Sequence, residues 1–144
     1  MAQVEAARPY GRFGIARTYA LVFGIAYVAV SVLEVILALA GTSLTVGGAL
    51  ILKFTLIQNL VHWAVGLAVL GSFFAGEAAA KMVARVVGIV FVLVTLLGFV
   101  AIDFTGRLLG FNGPLPWSYN IVHLATAALA LFAGFAAARA YGQA

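Results

Sequence analysis

The sequence predicts an all-α, polytopic membrane protein in which four transmembrane helices form a four-helix bundle. Hydrophobic side chains make up 65% of the 144 residues and charged side chains only 8%, too few to cover a surface that faces water. The apolar stretches are continuous and of bilayer length, which favours helices over the alternating pattern of a membrane β-barrel. The lipid bilayer is therefore the first partner that the sequence predicts.

Four apolar stretches each have about the 20 residues that a helix needs to cross a bilayer. The predicted spans are Thr18 to Gly41, Phe54 to Gly76, Met82 to Ile102 and Trp117 to Ala138. Residues 1–16 are predicted to be a short cytoplasmic arm, and residues 17–141 to be a single transmembrane domain. The stretch 44–52 should lie at the outer interface.

Basic residues are distributed unequally between the two sides of these spans. The side of the termini has Arg8, Arg12, Arg17, Lys81, Arg85 and Arg139, and the opposite side has Lys53 and Arg107. Because positively charged loops stay in the cytoplasm, both termini are predicted to be cytoplasmic. The net charge of +4 then mostly reflects topology, and no nucleic acid partner is expected.

The chain contains an internal repeat. Asn59-Leu-Val-His62 recurs as Asn120-Ile-Val-His123, and the Ala16-Arg17 pair at the opening of helix one recurs as Ala84-Arg85 at the opening of helix three. Each copy, about 17–76 and 82–141, contains two spans, so both copies should have the same orientation and be related by an axis along the membrane normal. The predicted bundle therefore consists of two parallel two-helix repeats.

Ionisable side chains are predicted to share one depth in this bundle. A rise of about 1.5 Å per residue from the cytoplasmic end of each helix places four of them at about 22 to 27 Å, in the outer third of the membrane. They are Glu34, His62, Asp103 and His123. Asn59 and Asn120 lie one turn from the histidines. This layer is the candidate site, because ionisable groups inside a membrane are costly and often functional.

The duplicated Asn-x-x-His pairs, together with the Ala-Arg openings of helices one and three, resemble a bacterial family of small four-helix membrane proteins, domain of unknown function 4383. The resemblance extends from about residue 16 to residue 138. Its most recognisable strings are Leu-Ile-Gln-Asn59-Leu-Val-His62 and Ser-Tyr-Asn120-Ile-Val-His123. The resemblance implies the four-helix fold and implies no activity.

The polar layer predicts a non-enzymatic role, as a structural or accessory subunit of a larger membrane assembly or as a homo-oligomer. Asn and His side chains hydrogen-bond between helices and fix their register. The sequence has no Ser-His-Asp order, no H-E-x-x-H motif and no nucleotide-binding motif. It also has no cysteine, which excludes disulfides and thiolate metal sites.

Two alternatives use the same layer differently. In the first, His62 and His123 ligate haem or a chlorophyll-type pigment such as bacteriochlorophyll, because a neutral imidazole binds iron or magnesium. Asn59 and Asn120 would then orient nearby groups. In the second, Glu34 serves a small transporter or a proton relay. The main expectation remains a protein with no cofactor of its own.

A metal site is a further alternative. Two imidazoles and two carboxylates suit zinc, iron or manganese. The ligands would be Glu34, His62, Asp103 and His123. Asp103 also has a simpler explanation, an ion pair with Arg107 one helical turn further along.

Overall fold

A computed structural model describes residues 13–136, which form five helices and one β-hairpin. The helices are α1 (Ile15–Leu39), α2 (Leu56–Ala75), α3 (Glu77–Val100), α4 (Ile102–Leu108) and α5 (Trp117–Phe135), and the strands are β1 (Leu44–Val46) and β2 (Ala49–Leu52). Four of the helices, α1, α2, α3 and α5, are long and apolar enough to cross a membrane, as predicted. Most of the arm at 1–16, together with Arg8, Arg12 and Arg139, lies outside the described residues.

A single residue, Gly76, separates α2 from α3. Its backbone has φ of 102° and ψ of 177°, a conformation that residues with a Cβ rarely adopt. Glycine therefore lets one helix end and the next begin without a loop. As a result α3 begins at Glu77 and not at the predicted Met82.

The third span is followed by a short helix that the sequence did not predict. Ala101, with φ of −134° and ψ of 57°, interrupts the helix between α3 and α4. The backbone of Leu115 donates to the carbonyl of Ile102 at 3.1 Å, which ties α4 to the loop that follows it. Asp103 consequently lies on α4 and is exposed.

The stretch predicted at the outer interface is a β-hairpin. Gly47 and Gly48 have φ of 57° and 80°, as a two-residue type I′ turn requires. The first turn of α5 holds the hairpin in place: the Ser118 hydroxyl donates to the carbonyl of Leu50, and the Tyr119 hydroxyl accepts from the backbone N–H of Lys53 at 2.8 Å. The hairpin is thus fixed to the beginning of the last span.

Small residues lie where the long helices contact one another. α1 packs along α2 and α3 packs along α5, whereas α1 and α5 touch at few positions. The buried alanines of this core are Ala16, Ala20, Ala80, Ala84, Ala127, Ala130 and Ala133. Gly24 lies directly against Leu70, and Gly88 against Leu131. Close approach of this kind is how helices associate in lipid, where apolar burial gives little drive.

Both halves of the chain contain the same arginine contact. Arg17 Nε donates to the carbonyl of Phe73 at 3.0 Å, and Arg85 Nε donates to the carbonyl of Gly134 at 2.8 Å. The arginines are 68 residues apart, and Phe73 and Gly134 are 61 apart, the same spacing as the two Asn-x-x-His motifs. Each arginine therefore binds the carboxyl-terminal carbonyls of the neighbouring helix, α2 or α5.

Candidate functional site

A polar cluster joins α1 to α2 inside the protein. It consists of Ser31, Glu34, Asn59 and His62. Glu34 is fully buried, with 0% of its surface exposed. Asn59 Nδ2 donates both to Glu34 Oε2 and to the carbonyl of Ser31, each at 2.9 Å. The amide thus partly compensates the burial of a carboxyl group, which is costly in an apolar environment.

His62 completes this cluster from one turn further along α2. Its Nδ1 lies 3.1 Å from Glu34 Oε1, although the two groups are not aligned as a hydrogen bond. At this distance an imidazolium would compensate a carboxylate charge directly. Three of the residues predicted for the candidate site, Glu34, Asn59 and His62, are therefore brought together.

The second copy of the motif lacks such a partner. Asn120 and His123 on α5 are buried, with 1% and 6% of their surfaces exposed. Asn120 packs against Gly98 of α3, where a Cβ would overlap its side chain. Asn120 Oδ1 and His123 Nδ1 have no hydrogen-bond partner among residues 13–136. With the spacing of the two arginines, the counterpart of Glu34 is Ile102, so no carboxyl group occupies that place.

His62 and His123 line one cavity, which we call the histidine cavity. Its volume is about 310 Å³. The wall contains both imidazoles, the Gln58 amide and a set of apolar and aromatic side chains from α1, α3, α5 and the hairpin. These further lining residues are Phe23, Ala26, Tyr27, Val30, Leu33, Leu44, Ile51, Leu52, Phe91, Tyr119, Val122 and Thr126. The hairpin thus forms part of the cavity wall.

Aromatic rings surround the two imidazoles. The ring centroids of Tyr27 and His62 are 5.9 Å apart, and those of Phe91 and His123 are 5.4 Å apart. Tyr119 precedes His123 by one helical turn, with their ring centroids 6.5 Å apart. These contacts hold both imidazoles among flat side chains.

Gln58 is a site residue that the sequence did not predict. It is 3% exposed, and its Oε1 has no hydrogen-bond partner among the described residues. Thr55 caps the first turn of α2 by accepting from the backbone N–H of Gln58 at 3.3 Å, so this turn is well defined. A sequence signal did exist, because Gln58 and His62 are four residues apart and share one face of a helix.

The predicted four-ligand metal site does not form. Glu34 is fully buried, whereas Asp103 is exposed on α4. In the part of the chain that the structure describes, no group of three or more His, Asp, Glu or Cys side chains is arranged to hold a metal ion. The helix ends before Asp103, and Ile102 takes the place equivalent to Glu34, which is why the prediction fails. Asp103 and Arg107 are both exposed and form no ion pair in this described part.

No curated protein and no solved structure matches the chain. The model of one protein family, described as Domain of unknown function (DUF4383), matches residues 17–136. This range contains both Asn-x-x-His motifs and every residue that lines the histidine cavity. Because the match covers most of the chain, the protein belongs to the DUF4383 family.

Proposed function

We propose that the protein is a non-enzymatic membrane protein that serves as a structural or accessory component of a larger membrane assembly. The observation that carries this proposal is the polar cluster, in which Asn59 links Glu34 and Ser31 across two helices. Such contacts fix the register of membrane helices at about 0.6 to 2 kcal/mol each. The outer faces, by contrast, consist of exposed apolar side chains that lipid or a neighbouring subunit covers.

The proposal includes a bundle of two parallel repeats with cytoplasmic termini, in a bacterial inner membrane. The matching contacts of Arg17 and Arg85 support the repeat, because each arginine binds the end of its own neighbouring helix. The excess of basic residues on the side of the termini supports the orientation.

Photo-crosslinking in native membranes tests the accessory role. A crosslinking amino acid is placed at lipid-facing sites on different helices, such as Leu39, Phe74 and Phe132, which are 84%, 76% and 65% exposed. An accessory component gives one discrete polypeptide adduct from one face and only lipid adducts from the others. Lipid adducts alone at every face, with a monomer in mild detergent, would contradict the proposal.

A pigment or haem carrier is the second candidate. The observation that favours it is that His62 and His123 line one cavity and that His123 Nδ1 lacks a hydrogen-bond partner among residues 13–136. An imidazole nitrogen without a partner is available to bind haem iron or the magnesium of a chlorophyll.

Visible absorption of the purified protein tests this candidate. A carrier expressed in a host that makes the pigment gives a visible band, which weakens or disappears in His62→Ala and His123→Ala. Trp63→Phe, one position from His62 and outside the cavity lining, is the matched control and should keep the band. A colourless wild-type preparation excludes this candidate.

The transport alternative has less support, because Asn59 and His62 hold the Glu34 carboxyl group in a buried cluster. Liposomes with wild type or Glu34→Gln provide a direct test. Equal proton flux in both, at the level of empty liposomes, removes this alternative.

A further inference from the structure

The histidine cavity contains polar atoms that the protein itself does not satisfy. Gln58 Oε1 and His123 Nδ1 belong to side chains that are 3% and 6% exposed, and neither atom has a partner among the described residues. Buried polar groups are normally hydrogen-bonded, since leaving them unpaired is costly. Helix packing does not require an amide and an imidazole here, so their placement indicates a ligand with polar groups of its own.

The cavity wall indicates the shape of that ligand. Four aromatic side chains line the cavity, namely Phe23, Tyr27, Phe91 and Tyr119. Aromatic walls favour a flat ring, which stacks on their faces or meets their edges. The volume of about 310 Å³ lies in the range of roughly 300 to 1,000 Å³ that is typical of small-molecule sites.

The opening of the cavity indicates how a ligand arrives. Ala26 and Leu33 of α1 and Val122 of α5 line the cavity and are also exposed at the protein surface. Both helices are membrane-spanning by length and composition, and they contact each other at few positions. Because exposed lining residues lie on both of these membrane-spanning helices, a ligand would reach the cavity from lipid, between α1 and α5.

We propose that the histidine cavity binds a membrane-dissolved molecule with a flat ring that carries carbonyl or hydroxyl groups, the chemistry of an isoprenoid quinone or quinol. A ring carbonyl accepts a hydrogen bond from an imidazole N–H, and a ring hydroxyl donates to Gln58 Oε1. The apolar tail leaves through the gap between α1 and α5. This inference goes beyond the accessory role and does not depend on it, because binding is measured on the isolated protein.

Equilibrium binding in nanodiscs tests the proposal. Radiolabelled decylubiquinone is titrated into phosphatidylcholine nanodiscs that contain the protein, and binding to empty nanodiscs is subtracted. Wild type should show saturable binding. Gln58→Leu keeps the size of the side chain but removes the amide, and should weaken binding of the reduced, hydroxyl-bearing probe by about tenfold, as expected for one buried hydrogen bond.

A second pair of variants keeps the test decisive if Gln58→Leu does not fold. Val122→Trp places a large side chain at the opening and should abolish saturable binding. Ile121→Trp is the matched control, because Ile121 is the adjacent exposed residue and does not line the cavity, and it should bind as wild type does.

Three results would overturn the proposal. One is the absence of saturable binding by wild type, and another is equal binding by Val122→Trp and Ile121→Trp. The third is equal competition by decanol, which carries the ten-carbon tail without the ring, since this would indicate a site for an acyl chain.

Discussion

Glu34 makes the two copies of the repeat different at the level of single residues. In the first copy its Oε2 accepts from Asn59, and its Oε1 lies 3.1 Å from His62 Nδ1 without forming a hydrogen bond. In the second copy Ile102 stands in the equivalent place, and Asn120 and His123 keep unpaired atoms in the described structure. The difference between Glu34 and Ile102 thus means that only the first motif contacts a carboxyl group of the neighbouring helix.

Removal of the Glu34 acceptors should destabilise the protein. Glu34→Leu replaces the carboxyl group with an apolar side chain and deprives Asn59 of one of its two acceptors, at a cost of about 1 to 3 kcal/mol. Glu34→Gln should cost less, because its amide oxygen can still accept from Asn59. Unfolding by SDS, followed by circular dichroism in mixed micelles, measures both. A Glu34→Leu protein at least as stable as wild type would mean that the cluster contributes no net stability.

Gly98 should tolerate no side chain. A Cβ at this position overlaps the Asn120 side chain, which is 1% exposed and has little room to move. Gly98→Ala should therefore cost about 1 to 3 kcal/mol, as overpacking of a core does. Gly71→Ala is the matched control, because a Cβ at Gly71 meets nothing within 4 Å. The melting temperature in detergent distinguishes them, and a Gly98→Ala protein with unchanged melting temperature would contradict this account.

Site residues were predictable from the sequence only where the repeat identified them. The duplicated spacing identified Asn59, His62, Asn120 and His123, and the cavity lining includes both histidines. Gln58 was not predicted, because a single polar residue near the start of a span resembles an ordinary helix end. Whether such a side chain is buried depends on the neighbouring helices, and the sequence around it does not show this.

At the scale of the secondary-structure element, Arg17 and Arg85 act as caps of the neighbouring helices. Each Nε binds a carbonyl at the end of the adjacent helix, and each guanidinium lies 4.8 Å from a phenylalanine ring centroid of that helix, Phe73 or Phe135. Cation–π contacts of this type add to the hydrogen bond. The sequence predicted these residues for their charge alone, because the carbonyl that an arginine reaches is set by helix pairing.

Arg85→Lys should separate the charge from the cap. Lysine keeps the positive charge, so the orientation in the membrane is unchanged, but it lacks the Nε that donates to Gly134. We expect a loss of about 1 to 2 kcal/mol in the SDS unfolding measurement. Arg107→Lys is the matched control, since Arg107 is exposed on α4 and should be insensitive. Equal stability of the two variants would indicate that the cap is unimportant.

Two elements escaped prediction for a shared reason. The hairpin and α4 are short segments that lie between the predicted spans, and hydropathy alone does not give the conformation of such segments. α4 is separated from α3 by the backbone angles of Ala101, which no residue type in the sequence indicates. The hairpin is held by contacts with α5, which is distant in the sequence. The four long spans were predictable because length and apolarity suffice to define them.

At the scale of the whole molecule, the composition was enough to predict a membrane protein. The cavity, in contrast, forms only where several elements meet. α1, α2, α3, α5 and the hairpin all contribute to its wall. Gly76 alone joins the two halves of the chain, which keeps α2 and α3 adjacent. The packing of these separate elements therefore determines which polar groups meet in the cavity.

The orientation of the whole chain can be tested with single cysteines, because the sequence contains none. Thr45→Cys lies on β1 and Ala78→Cys at the beginning of α3, both at exposed positions. With cytoplasmic termini, a membrane-impermeant maleimide should label Thr45→Cys in spheroplasts, and Ala78→Cys only after the membrane is made permeable. The reverse pattern would invert the proposed topology.

The attachment of the hairpin to α5 has a consequence for biosynthesis. The groups that hold it, Ser118 and Tyr119, follow the hairpin by more than 60 residues and belong to α5, which leaves the ribosome after α1, α2 and α3. Although the first three spans can enter the membrane earlier, the hairpin is secured only after α5 has been inserted. A chain that stalls during translation before α5 is therefore inserted without these two contacts, and quality-control proteases would meet an unsecured hairpin.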